Sequence, residues 1–199
     1  MSNELINFDK QFSNKKILGI DEVGRGCCAG PLVVAGVILK PDYFDSRIKD
    51  SKKIKSIIQR KEIALDIIKN SLFYKVVSFS PIQVDKYNPK RASILGMTKI
   101  AKSLMGHYDL LITDYEKVDL DVEQLNLKKG DQTSYSVAAA SIVAKYFRDN
   151  EILKMDNKYP KYHFASHHGY VTKKHLESLE KYGPLLKVHR YTYKCIKAK

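Results

Sequence analysis

The chain has 199 residues, 44% of them apolar, which is enough for one well-buried core and excludes an intrinsically disordered segment. Lys and Arg number 35 against 22 Asp and Glu, and the formal charge of +13 favours a polyanionic partner, nucleic acid before an anionic membrane surface. Three cysteines, Cys27, Cys28 and Cys195, offer neither C-x-x-C spacing nor an even framework, so a disulfide scaffold is excluded and a reducing cytoplasm fits best. The polar N-terminus lacks the apolar stretch of a signal peptide, and the longest near-continuous apolar run, residues 27–39, is too short to span a bilayer. No membrane partner is expected. Without repeats or low-complexity linkers, residues 1–199 read as a single domain, with 1–16 as a lead-in segment.

Residues 17–22 read as a strand and 32–39, LVVAGVIL, as a second strand buried on both faces. Ile54, Ile57, Ile58, Ala64, Ile67, Ile68 and Leu72 mostly keep helical spacing and predict a helix across 52–72. A β-prone third strand follows over 73–79. Ser80-Pro81-Ile82-Gln83 marks a helix start, with Ser as N-cap, Pro at the first position and Gln placed for a capping box. A further helix is predicted over 92–104, and a short strand over 109–113 delivers Asp114 at its C-terminal end. An alanine-rich helix over 136–153 and a last helix over 172–182, stopped by Gly183-Pro184, complete the series. Strands alternating with helices in this order imply an α/β class with a mixed sheet.

The stretch GIDEVGRGCCAGP, residues 19–31, formally matches the dinucleotide-binding pattern G-x-G-x-x-A. A dinucleotide site requires strand, glycine turn and then helix, because the helix N-terminus holds the pyrophosphate. Here Pro31 and a β-branched run follow the glycines, giving strand, turn, strand. Asp21 and Glu22 would also repel a pyrophosphate unless a metal ion lay between them. Hard divalent cations such as Mg²⁺ take carboxylate oxygens, and a two-metal site needs three or four convergent acids. Asp21, Glu22, Asp114 and Asp131 all fall at predicted element ends, where loops can bring them together. Neighbours on a regular strand point to opposite faces, so Asp21 and Glu22 share a site only if the strand bends or ends there, as Gly24 and Gly26 would allow. Taken singly, each acid reads equally as an exposed charge or a helix cap. His167, His168 and His175 lack the spacing of a zinc site.

Together these residues resemble the bacterial ribonuclease HII family. The likeness runs through Gly19-Ile-Asp-Glu-Val-Gly-Arg-Gly26 with Ala29-Gly-Pro31, Asp50-Ser-Lys-Lys53, Asp114 after an apolar strand, and Lys129-Gly-Asp131. It continues through Ala138-Ala-Ala-Ser-Ile-Val-Ala-Lys145 with Arg148-Asp149, Gly169-Tyr170 with Thr172 and His175, and His189-Arg190. It departs at Tyr115, where the family usually has glycine, at His168, where lysine often precedes Gly-Tyr, and at Lys49, where asparagine often precedes Asp-Ser-Lys.

The resemblance implies a ribonuclease H-like fold, a mixed central β-sheet flanked by helices with additional C-terminal helices. It implies a Mg²⁺- or Mn²⁺-dependent endoribonuclease that cleaves the RNA strand of RNA/DNA hybrids and cuts 5′ of ribonucleotides embedded in duplex DNA. Two-metal-ion hydrolysis would leave 5′-phosphate and 3′-hydroxyl ends. It places Asp21, Glu22, Asp114 and Asp131 as catalytic metal ligands and Gly24, Arg25 and Gly26 as readers of the ribose 2′-hydroxyl. Tyr170 would pack on the deoxyribose beside the ribonucleotide, and Lys52 and Lys53 would lie near substrate phosphates. A monomer in the cytoplasm is expected. A basic nucleic-acid-binding module without catalysis and a DNA-cutting nuclease of the same fold are the alternatives.

Overall fold

The computed structural model describes residues 2–49, 51, 54 and 56–197, with side chains from residue 4 onward. Its elements run α1 (Ser2–Lys10), β1 (Ile17–Val23), β2 (Leu32–Leu39), α2 (Ile57–Lys69), β3 (Ser71–Phe79), α3 (Pro81–Tyr87), α4 (Pro89–Ser103), β4 (Leu110–Asp114) and β5 (Gln124–Leu127). A 3₁₀ turn, Gly130–Gln132, leads into the long α5 (Tyr135–Lys158), followed by α6 (Phe164–His167), α7 (Lys173–Tyr182) and α8 (Lys194–Lys197). The strands form one mixed sheet in the order β3-β2-β1-β4-β5. The first three strands are antiparallel, while β4 and β5 run parallel to β1 and to each other.

Alternation along β1 and β2 divides the core between the two faces. Val33, Ala35 and Val37 pack with α1, α2 and α5 on one side. Leu18, Ile20, Leu32, Val34 and Ile38 pack with α4 on the other. Both faces of β2 are thus covered, as its unbroken apolar run requires. The helix α5 lies close on β1 because Gly19 has no side chain: a Cβ there would overlap the Ser136 backbone. Its Ala138, Ala139 and Ala140 are fully buried.

Local signals set the boundaries. Ser80 caps α3 with the full capping box, Ser134 caps α5, and Thr172 caps α7. The helix predicted across 52–72 is shorter. It begins only at Ile57, after the Ser56 N-cap, and ends before Ser71 and Leu72, which belong to β3. Ile54 is buried from a loop, with its carbonyl taking the Arg60 guanidinium. Its match to helical spacing therefore reflects core packing alone. The short helices α6 and α8 escape the sequence reading, as do two elements nearer the site. The lead-in segment contains α1, which buries Leu5 and sets Asp9 against the start of α5, accepting from Ser136 N at 2.8 Å and Ser136 Oγ at 2.7 Å. The other is the four-residue edge strand β5. Among the described residues no helix is long and apolar enough to cross a membrane.

Candidate active site

The parallel pairing of β1 with β4 ends at Ile20 and Thr113, so the next residue on each strand, Asp21 and Asp114, stands at the point where the two part. β1 stays paired with β2 through Val23. The expected bend is therefore absent. Asp21 follows the α5 face and Glu22 the opposite face, and it is the departure of β4 that opens a common rim. Asp131, 2% exposed, reaches that rim on the 3₁₀ turn ahead of α5. The turn is drawn onto β4 by the Gly130 amide, which donates to Asp114 Oδ1 at 2.7 Å.

The electrostatics carry the mark of this convergence. Burial first, then the charge of Glu22, pushes Asp21 well above the usual carboxylate range. A hydrogen bond from Ser141 opposes the shift, and the charges of Asp114 and Asp131 add to it. Glu22 is raised to about 7 by burial and by Asp114, against the pull of Arg25. Its Oε2 is buried without a hydrogen-bond partner among the described residues, and such an atom is costly unless something compensates it. Four hard oxygen donors with an uncompensated buried oxygen among them fit a divalent cation. Among the described residues, however, no three His, Cys, Asp or Glu side chains are already gathered round one point in a metal-holding arrangement.

Arg25 lies beside the acids. Its guanidinium donates to Glu116 Oε1 at 2.7 Å and to Glu22 Oε1 at 3.4 Å. The loop around it is braced through its carbonyls. Arg190 donates to Arg25 O at 3.2 Å and to Gly30 O at 2.9 Å, the Tyr193 hydroxyl donates to Arg25 O at 2.6 Å, and Arg148 donates to Pro31 O at 3.0 Å. Both arginines are almost wholly buried. With the carbonyls so engaged, the amides of Arg25 and Gly26 donate to no group among the described residues. Gly24 has φ +90°, and a Cβ would stand 2.7 Å from Pro31 O and overlap Arg148, so structure alone demands glycine there. Gly26 differs: among the described residues no neighbour lies within 4 Å of its would-be Cβ.

Tyr170 is 47% exposed. Its loop is fastened to the Arg25 loop through Gly169 O, which accepts from Cys28 N at 3.0 Å and Ala29 N at 3.3 Å. Beneath it lies an ordered histidine group. Leu185 N donates to His189 Nδ1 at 2.8 Å, so a neutral His189 carries its proton on Nε2, facing His175 Nε2 at 3.1 Å. His175 then holds its proton on Nδ1 and donates to Tyr170 O at 2.9 Å. Burial pushes both rings down to about 4, which keeps this arrangement neutral.

Of the residues expected at the site, Asp21, Glu22, Asp114 and Asp131 are brought into electrostatic contact, with Gly24, Arg25 and Gly26 beside them and the Tyr170 loop attached. Lys52 and Lys53 lie outside the described residues. Ser51 meets Ser141 Oγ at 2.9 Å. Sequence reading missed Glu116, Ser141, Arg148, Arg190 and Tyr193 as supports. Arg148 and Arg190 stood inside the quoted motifs, but nothing in their spacing signals burial against a loop.

A carboxylate-rimmed mixed sheet with α5 packed across it is the architecture of ribonuclease H-like proteins. The ribonuclease H2 of Pyrococcus horikoshii OT3 superimposes with a TM-score of 0.74 at 23% identity, over 92% of this chain and 96% of that one. Bst ribonuclease HIII, solved in complex with Mn²⁺, superimposes with a TM-score of 0.72 at 19% identity, over 96% of this chain and 70% of that one. Within that class the chain belongs to the ribonuclease HII family, which it matches over residues 18–196. It is 48% identical over 182 residues to the Ribonuclease HII of Mycoplasma mycoides subsp. mycoides SC, a span covering 90% of this chain and 86% of that protein.

Proposed function

We propose that the protein is a divalent-metal-dependent endoribonuclease acting on RNA/DNA hybrids and on ribonucleotides embedded in duplex DNA. The observation that carries this reading is the electrostatic coupling of Asp21 to Glu22, Asp114 and Asp131 beside the amides of Arg25 and Gly26, which donate to no group among the described residues. Family membership sets the reaction class.

Asp21, Glu22, Asp114 and Asp131 would hold Mg²⁺ or Mn²⁺, with side-chain rotation gathering the carboxylates. The cations would supply Lewis-acid stabilisation of the phosphodiester and a more acidic bound water. Ser141 favours the charged form of Asp21. The Arg25 and Gly26 amides, stiffened from behind by Arg190 and Tyr193, offer donors to a ribose 2′-hydroxyl, the group that distinguishes RNA from DNA. Open space at Gly26 lets a sugar approach the backbone. Tyr170 packs on the neighbouring deoxyribose, and the surplus of 13 positive charges draws the duplex in. The protein works as a cytoplasmic monomer, with Lys52 and Lys53 near substrate phosphates.

The test uses three labelled duplexes: an RNA/DNA hybrid, DNA with one ribonucleotide, and all-DNA. Cleavage of the first two in Mg²⁺ or Mn²⁺, none in EDTA, and an intact third duplex are expected. Binding without cutting in any metal would favour a non-catalytic module, and cleavage of all-DNA a different nuclease of this fold.

A further inference from the structure

We propose that Tyr115 is a substrate-contacting residue whose ring packs on the face of a nucleotide flanking the scissile linkage. The inference rests on the ribonuclease reading above and adds a contact to it. It starts from the backbone. Glu116 N donates to Asp114 O at 2.8 Å, closing a three-residue γ-turn with Tyr115 at its centre, and Tyr115 has φ +66°. A γ-turn with positive φ is the rare, strained form, and a bulky aromatic is a costly occupant of it.

The turn is held through its backbone, with Tyr115 N donating to Leu127 O at 2.9 Å. The Tyr115 side chain is 61% exposed, and among the described residues it makes no hydrogen bond, ion pair or ring contact. Both ends of the turn are fixed by other duties. Asp114 accepts from Gly130 within the acid group, and Glu116, 4% exposed, holds the Arg25 guanidinium. Tyr115 is therefore held in the chain between Asp114 of the acid group and Glu116 of the Arg25 brace, on a turn that glycine or asparagine would form with less strain. Strain kept at such a place points to function. Surrounding carboxylates disfavour a bare phosphate as the partner, whereas an uncharged π-face suits a nucleotide face.

The test compares Tyr115→Phe, Tyr115→Asn and Tyr115→Gly in the full chain on a DNA duplex with one embedded ribonucleotide. KM and kcat are measured in Mg²⁺ or Mn²⁺, Kd by fluorescence anisotropy in EDTA, and Tm alongside. Tyr115→Phe should keep KM and Kd within about twofold. Tyr115→Asn and Tyr115→Gly should raise both roughly tenfold, within the range of one lost stacking contact. Their kcat should stay within about threefold, and their Tm should equal or exceed that of the unaltered protein because strain is relieved. Unaltered KM and Kd in Tyr115→Asn would overturn the inference, as would a fall in kcat alone, which would make the ring a support for Asp114. If the unaltered protein binds but never cuts, the ribonuclease reading fails while the Kd comparison still decides the contact. If it does not bind, both fall.

Discussion

The amide of Gly130 donates to Asp114 Oδ1 at 2.7 Å, tying the turn that carries Asp131 to the strand end that carries Asp114. A Cβ at Gly130 would stand 3.2 Å from Asp114 Cα, so Gly130→Ala must push these segments apart by a few tenths of an ångström. Misplacement of about 1 Å costs on the order of a hundredfold in rate. Gly130→Ala should accordingly lower kcat by roughly tenfold while the protein remains folded by circular dichroism. An unaltered kcat would show that this contact does not set the acid geometry.

The two glycines flanking Arg25 should separate by phenotype. Gly24→Ala meets Arg148 and Pro31 O from a left-handed backbone and should cost about 1–3 kcal/mol of stability, at roughly 2–4 °C of Tm per kcal/mol. Gly26→Ala meets nothing among the described residues and should leave stability within about 0.5 kcal/mol. Its methyl group would stand where the sugar approaches, so KM on a ribonucleotide-containing duplex should rise roughly tenfold. Thermal melts and steady-state kinetics on the pair decide it, and a normal KM in Gly26→Ala would remove this loop from substrate reading.

The histidine group makes a prediction about pH. His175 and His189 sit at about 4 in the folded protein, below the value near 6.5 of an unfolded chain, so between those limits the unfolded state binds more protons. Their contribution is complete above about pH 6.5 and is lost as pH falls toward 4, at about 1.4 kcal/mol for each unit of displacement. Urea midpoints measured from pH 7 to 4.5 should fall more steeply for the unaltered protein than for His189→Gln. Parallel profiles would contradict the neutral, proton-ordered arrangement.

Tyr170 is held by its backbone: its amide donates to His167 O at 2.9 Å and its carbonyl accepts from His175. Tyr170→Ala should therefore remove the ring, with its contact to Cys27, while these backbone bonds remain. kcat/KM should fall about tenfold further on a single embedded ribonucleotide than on a long RNA/DNA hybrid. Equal losses on both substrates would reject the junction-reading role.

Much of this architecture was legible where local chemistry decides it. The run LVVAGVIL gave β2 to the residue because a strand covered on both faces needs no alternation, and the Ser80 box fixed the start of α3 because Ser80 and Gln83 satisfy each other's backbone amides. Elements decided by tertiary contact were not. The strand β5, QLNL, lacks a β-prone composition and exists because β4 offers it an edge, while α1 is held by the bond from Asp9 to Ser136, 127 positions away. The four acids were visible as residues at element ends, yet the device that joins them, the parting of β4 from β1 after Thr113, is a property of register. Glu116 and Ser141 read as an ordinary loop acid and a helix serine. Only the fold sets one on Arg25 and the other on Asp21.

Asp131 offers the most direct test, because it reaches the rim from the position most distant in the chain from Asp21. Cleavage of a DNA duplex with one ribonucleotide should be measured for the unaltered protein and for Asp131→Asn at saturating Mn²⁺, with duplex binding measured in EDTA. The account predicts cutting 5′ of the ribonucleotide with 3′-hydroxyl and 5′-phosphate ends, a loss of at least about a hundredfold in kcat for Asp131→Asn, equivalent to ~2.7 kcal/mol, and unchanged binding. Near-normal cleavage by Asp131→Asn would contradict it.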